Sequence, residues 1–298
     1  MDTMFWIKLA VTALAVVFLA WVAERGSPRL SGLLAGFPHG VAIILLFIGL
    51  EQGEAFMAEV ARHTVAGLAA NAALGWGWGA MLHALARHRG HRNTGMTGQE
   101  GARMRPAPVA GPVAWPARMP SLLAGSMAGL AAFFAVAAAL AHLRLPLWAA
   151  TLVTLAIILA AGLWMRRTED AAIPRPVPLT PGLIAFRALA AALIVVVITG
   201  LAQAVGPAWA GLLAGFPVVT FPFLLVVHLA HGPDPVRAIL RAYPQGLPAL
   251  VAFALAVALL SPAAGLWHAL LAGFAAALAY TWLRMKIAAH LPARWGKR

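Results

Sequence analysis

Apolar runs of about twenty residues recur along the whole chain, divided by short polar, glycine- or proline-containing breaks. A bilayer core takes about 20 apolar residues per helical crossing. On that length criterion nine windows stand out: Met4–Ala23, Leu30–Leu50, Thr64–Leu85, Pro120–Ala141, Leu147–Met165, Ile184–Ala204, Trp209–Ala230, Tyr243–Leu260 and Gly265–Met285. The pattern predicts an all-α integral membrane protein with nine transmembrane helices. The first window and its flank carry Asp2 and Lys8 and meet no small-residue cleavage pattern before Glu24, so it is expected to stay as a helix rather than be removed as a signal peptide. The stretch 86–119 is long, polar and rich in Arg, Gly and Pro, and is expected to be a flexible cytoplasmic loop drawn to anionic headgroups.

Composition closes off the alternatives. Of 298 residues 62% are hydrophobic and 10% charged, with a mean hydropathy of +0.84; a soluble domain has about 45–50% apolar and about 25% charged residues. Soluble enzymes and disordered chains are excluded. There is no cysteine, hence no disulfide, thiolate nucleophile or thiolate-ligated metal. The formal charge of +13 is explained by its distribution. With the N-terminus outside, one face of the membrane receives Arg25, Arg29, Arg87, Arg89, Arg92, Arg103, Arg105, Arg118, Arg166, Arg167, Arg175, Arg237, Arg284, Lys286, Arg294, Lys297 and Arg298, while the other has Arg62, Arg144 and the near-terminal Lys8. That bias places the C-terminus in the cytoplasm. Trp6, Trp21, Trp148, Trp164, Trp209, Trp267 and Trp282 lie near window ends, where an indole suits the headgroup layer. The lipid bilayer is therefore the expected partner, and nucleic acid is not.

An internal duplication gives the windows an order. Gly32-Leu33-Leu34-Ala35-Gly36-Phe37-Pro38 returns intact as Gly211-Leu212-Leu213-Ala214-Gly215-Phe216-Pro217, an offset of 179 residues. The same register aligns Pro28 with Pro207, Gly53 with Gly232, Arg62 with Arg241, Gly67 with Gly246 and Lys8 with Arg187. Windows one to four then correspond to six to nine, with the fifth as connector, dividing the chain into 1–142, 143–182 and 183–298. Five crossings separate each equivalent pair, and five is odd, so the halves are expected in opposite orientation as a four plus one plus four inverted repeat. Many secondary transporters are built this way, with the substrate site between the halves.

Pro38 and Pro217 fall inside apolar windows at matching positions, and Pro222 is expected to add a second break to the seventh. A proline removes a backbone donor and interrupts a helix. In lipid such a break survives only against protein or a wet cavity, and paired breaks point to a transport site. Gly32-x3-Gly36 and Gly211-x3-Gly215 also read as close-packing faces, a reading compatible with the first. The aligned cations Lys8 with Arg187 and Arg62 with Arg241 suggest a pathway for an anionic solute. The bland alternative is that 51–63 and 230–242 form short interfacial helices, with Arg62 paired to Glu59 and the cations reaching into the headgroups. His39, Glu51 and Glu59 are the proton-coupling candidates; His39 aligns with Val218 and follows a break directly. His228 and His231 stand one helical turn apart with only Asp234 near them, which does not build a metal site. No phosphate cradle, zinc helix or serine elbow is present in the sequence, so no enzyme activity, cofactor or metal is expected.

The run Ala210-Gly211-Leu212 to Phe216-Pro217, then His228-x3-Gly232-x-Asp234 and Arg241, resembles the small GlpM-like bacterial inner-membrane proteins. The resemblance spans 184–285 and, more faintly, the first half, where Gly49 stands for the histidine and Ala55 for the aspartate. It implies a duplicated, fused form of a four-helix unit that otherwise pairs antiparallel, and the family's association with glycerol-phosphate and exopolysaccharide physiology implies an anionic substrate. The expected function is secondary transport of a small anionic or polar solute, with proton coupling. A non-transporting scaffold or accessory protein of envelope metabolism and a translocator of lipid or polyprenyl-phosphate headgroups are the competing classes.

Overall fold

Helices make up nearly all of the computed structural model, which describes residues 3–25, 38–94, 115–166 and 181–290; the first copy of the repeated motif, up to Phe37, lies outside the described residues. In chain order they are α1 (Thr3–Arg25), α2 (His39–Gln52), α3 (Glu54–Thr94), α4 (Met119–Leu143), α5 (Leu147–Arg166), α6 (Pro181–Ala214), α7 (Thr220–His231), α8 (Pro233–Ala242) and α9 (Leu247–His290). Short 3-10 turns occupy Trp115–Ala117 and Tyr243–Gln245, and there is no strand among the described residues. Four helices, α4, α5, α6 and α9, are long and apolar enough to cross a membrane; Thr3–Phe18 of α1, α2 and α7 are apolar but shorter. Their outer faces agree. α5 turns Trp148, Leu152, Leu155, Leu159 and Leu163 outward at helical spacing, and α6 does the same with Leu189, Leu193, Val197 and Leu201. Contiguous apolar faces of this kind are not left in water. The chain is all-α and built of long apolar helices, as a membrane-embedded protein is.

Four glycines articulate the helices. Gly53, Gly206, Gly232 and Gly265 all have φ between 76° and 87° with ψ close to 180°, each at a joint between two helical segments. Side chains disfavour that conformation and glycine does not. The joint at Gly265, just after Pro262, divides α9 where the eighth and ninth windows were expected to part. Gly53 and Gly232 also donate their N–H groups alike, to Gly49 O at 3.1 Å and His228 O at 2.8 Å.

The structure departs from the expected windows in three places. The third neither begins at Thr64 nor ends at Leu85: helix runs unbroken from Glu54 to Thr94, so 51–63 is no separate short helix, whereas its counterpart α8 is one, and the first nine residues of the expected 86–119 loop are helical. The seventh is split, with α6 ending at Ala214 and α7 starting at Thr220. Pro222 makes no second break. It lies buried in the first turn of α7, where a missing N–H leaves no helical bond unmade.

α3 is the axle of the fold. It packs against α2, α4, α5, α6, α8 and α9, burying Val60, Val65, Leu68, Ala69, Leu74 and Trp78. Facing protein rather than lipid, it tolerates Asn71, four glycines and two tryptophans between Thr64 and Leu85. Gly211 and Gly215 pack directly on it. A Cβ at Gly211 would stand 2.4 Å from Val60 O, and one at Gly215 would stand 2.4 Å from the Gly67 carbonyl carbon. The second copy of the motif is thus a close-packing face, as its glycine spacing implies.

Contacts along α3 also give directions. At its start, Glu54 Oε1 accepts the Leu266 N–H at 2.8 Å, capping the segment of α9 that begins after Gly265. About 26 Å further along, seventeen residues at ~1.5 Å each, Asn71 lies level with the beginnings of both α2 and α7. Beyond that, Trp78 meets Phe221 and the Gly125 turn of α4. α2 runs back to the Glu54 end, through Gly53. α7 runs the other way, to His228, whose Nε2 is 3.0 Å from Ser121 Oγ in the first turn of α4.

Candidate functional site

Where the two half-helices begin, a cleft of about 50 Å³ opens, lined by Pro38, His39, Asn71, Pro217, Thr220 and Tyr243 together with backbone and apolar neighbours. Each side is made by an interruption. Pro38 is the N-cap of α2 and has no side-chain cap; its carbonyl accepts the Ala42 N–H at 2.8 Å. On the other side the chain turns through Gly215–Val219: Phe216 N–H reaches Leu213 O at 2.9 Å, and Pro217 O accepts from Phe221 at 2.8 Å to start α7, also without a side-chain cap. Gly40 sits against Val218 and Val219 across the cleft.

A break in a helix frees carbonyls that need donors in a water-poor setting. Asn71 supplies one. Its Nδ2 donates to Gly215 O at 2.7 Å, and its Oδ1 accepts the Tyr243 hydroxyl at 2.6 Å. α3 is thereby stitched to the 215–219 turn and to the start of α9 through a single amide. Asn71 and Tyr243 were not among the residues expected from sequence, although both leave a trace there: Asn71 is the one amide in an otherwise apolar window, and Tyr243 is one of only two tyrosines. Thr220 was missed too, being an ordinary helix start until the fold turns it into the cleft.

The structure sorts the expected site residues into two groups. Pro38, His39 and Pro217 come together in the cleft. The cations do not, and neither do the acids. Lys8 Nζ on α1 binds Glu51 Oε2 at the end of α2 at 2.7 Å, with side chains 6% and 19% exposed. Arg62 and Glu59 form an i,i+3 pair at 3.8 Å, 49% and 52% exposed, as the interfacial alternative implied. Arg187 lies over the Phe223 ring at 4.5 Å, and Arg241 ends α8. Among the described residues no Lys, Arg, Asp or Glu lines the cleft. Its polarity comes from an imidazole, an amide, two hydroxyls and two uncapped helix starts, whose free N–H groups make the partial positive charge of a helix N-terminus. His228 belongs elsewhere, at the far end of α7, where Arg118 also donates to Leu229 O at 2.7 Å. No family model, curated protein or solved structure matches this chain, so its site is described by its own residues alone.

Proposed function

We propose that this chain is a secondary transporter that carries a small anionic or polar solute across the inner membrane, with the cleft between Pro38 and Pro217 as its binding site and His39 as its proton-coupling group. On this reading it has nine crossings, four plus one plus four, with the halves inverted, the N-terminus outside and the C-terminus cytoplasmic, as a duplicated and fused GlpM-like unit.

The observation that carries the proposal is the make-up of the cleft. It is lined by both members of aligned pairs, Pro38 with Pro217, His39 with Val218, Gly40 with Val219 and Asn71 with Leu250. A Cβ at Gly40 would stand 4.0 Å from its own counterpart, Val219, a closeness expected near a two-fold axis. α2 and α7, of 14 and 12 residues, leave the cleft in opposite directions along α3 and run about 21 and about 18 Å at ~1.5 Å per residue. Together that matches the roughly 40 Å of a bilayer with its headgroups and puts the cleft near mid-depth. The like-turned joints at Gly53 and Gly232 support the same register. Two helix N-termini meeting there favour an anionic or dipolar group. At about 50 Å³ the cleft holds water and little more, so this is the closed form, and alternating access has to open it to either side.

The test is flux into proteoliposomes with a panel of inorganic phosphate, glycerol phosphate, small carboxylates and neutral polyols. Saturable uptake that responds to an imposed pH gradient is expected. Asn71→Leu, which copies its counterpart Leu250, should abolish it, and His39→Val, which copies Val218, should keep uptake but remove the pH response. An intact chain that moves no member of the panel overturns the proposal.

A further inference from the structure

A second cavity shares no residue with the cleft. Where the turn between α4 and α5 folds over α3, a recess of about 130 Å³ is lined by Glu59, Arg62 and His63 from α3 and by Arg144 and Pro146 from the turn. Arg144 caps α4 with φ 43° and ψ 45°, the one non-glycine residue with positive φ among those described. A left-handed cap is ordinarily filled by Gly or Asn. An arginine in that place is strained, and here the strained residue lines the same cavity as Arg62. Among the described residues Arg144 has no ion-pair partner, and Glu59 is tied to Arg62 only by a long contact between half-exposed groups, which water weakens. Two arginines and His63 therefore line the recess with one carboxylate residue, Glu59. Leu143 and Trp148, on either side of the turn, are 60% and 69% exposed, so the recess lies beside apolar surface.

We infer that this recess is a binding site for a phosphate-type oxyanion, held by the forked donors of Arg62 and Arg144, with Glu59 as a built-in competitor for Arg62. A free anion and the phosphodiester of a lipid present the same oxygens.

Binding of inorganic phosphate to the full chain in neutral detergent, by titration calorimetry, tests the free form. Retention of phosphatidylglycerol over phosphatidylcholine in mixed nanodiscs, by native mass spectrometry, tests the lipid form. Arg144→Gly removes the charge while suiting the left-handed backbone, so the fold is kept; it should weaken whichever ligand binds by about tenfold or more, the worth of one charge-assisted bond. Glu59→Gln should tighten binding. Phosphate binding with that response identifies a free oxyanion, and selective phosphatidylglycerol retention without phosphate binding identifies the headgroup. Absence of both, or a ligand indifferent to Arg144→Gly and Glu59→Gln, overturns the inference. Because none of these residues lines the cleft, the outcome is independent of the flux assay.

Discussion

The Lys8–Glu51 pair was expected to serve solute and protons, and the structure instead joins its two members at 2.7 Å across α1 and α2 with little exposure on either side. Lys8→Met leaves Glu51 as a buried carboxylate with its partner gone, and breaking such a pair costs about 3–5 kcal/mol. Glu51 keeps some access to solvent, which favours the lower end. At ~2–4 °C per kcal/mol for a chain of this size class, the melting midpoint should fall on the order of 10 °C, and Glu51→Leu should do about the same. Lys8→Met combined with Glu51→Leu removes both charges and both desolvation costs, so it should be near wild type or somewhat more stable. The assay is helical circular dichroism against temperature for the four proteins, closed as a double-mutant cycle. Single effects that simply add, within about 0.5 kcal/mol, refute an energetic pair. Flux separates the roles: a double variant that transports shows the pair to be a structural clasp, and one that folds as wild type but carries nothing puts Lys8 or Glu51 back in the pathway.

Other consequences follow from particular contacts. Gly211→Val forces a branched side chain into a place where even its Cβ would stand 2.4 Å from Val60 O; it should cost at least the ~1–3 kcal/mol typical of overpacking, read as a lower melting midpoint or failure to accumulate in membranes. Glu54→Ala removes the acceptor for Leu266 N–H and should cost about 1 kcal/mol, the usual worth of a helix cap, with faster hydrogen exchange confined to the first turn after Gly265; unchanged exchange there would show that the cap does not hold. Because the chain has no cysteine, single thiols report sidedness on an otherwise silent background. Pro116→Cys and Leu145→Cys flank α4 and should react with an impermeant reagent from opposite sides, Leu145 from outside, and labelling from the same side would refute a crossing by α4.

Apolar length alone delimits the helices that face lipid. The fourth and fifth windows match α4 and α5 to within two residues at either end, because burial in a bilayer needs only a long enough run of apolar side chains, a local property of the chain. The breaks beside Pro38 and at Pro217 are local as well, since a proline cannot donate wherever it sits. α3 defeats the same logic. Glu54, Glu59, Arg62 and His63 break the apolar pattern, yet helix continues through them because neighbouring helices, rather than lipid, surround its middle and its end is open to solvent.

What sequence determined by itself is therefore the all-α class of the protein, its long apolar helices, the breaks beside Pro38 and at Pro217, and the pairing of like positions at an offset of 179 residues. Which of those positions meet was decided only by the tertiary structure. Alignment expresses equivalence and not distance: in the inverted arrangement proposed above, equivalent residues lie on opposite sides of the molecule unless they are close to the axis relating the halves. On that reading Pro38 and Pro217 are close to it and share a cleft, whereas Lys8, Arg187 and Arg62 meet Glu51, Phe223 and Glu59 instead. Asn71 and Tyr243 became visible as a site for the same reason, since a hydrogen bond between residues 172 positions apart in the chain exists only once α3 and the start of α9 have been packed side by side.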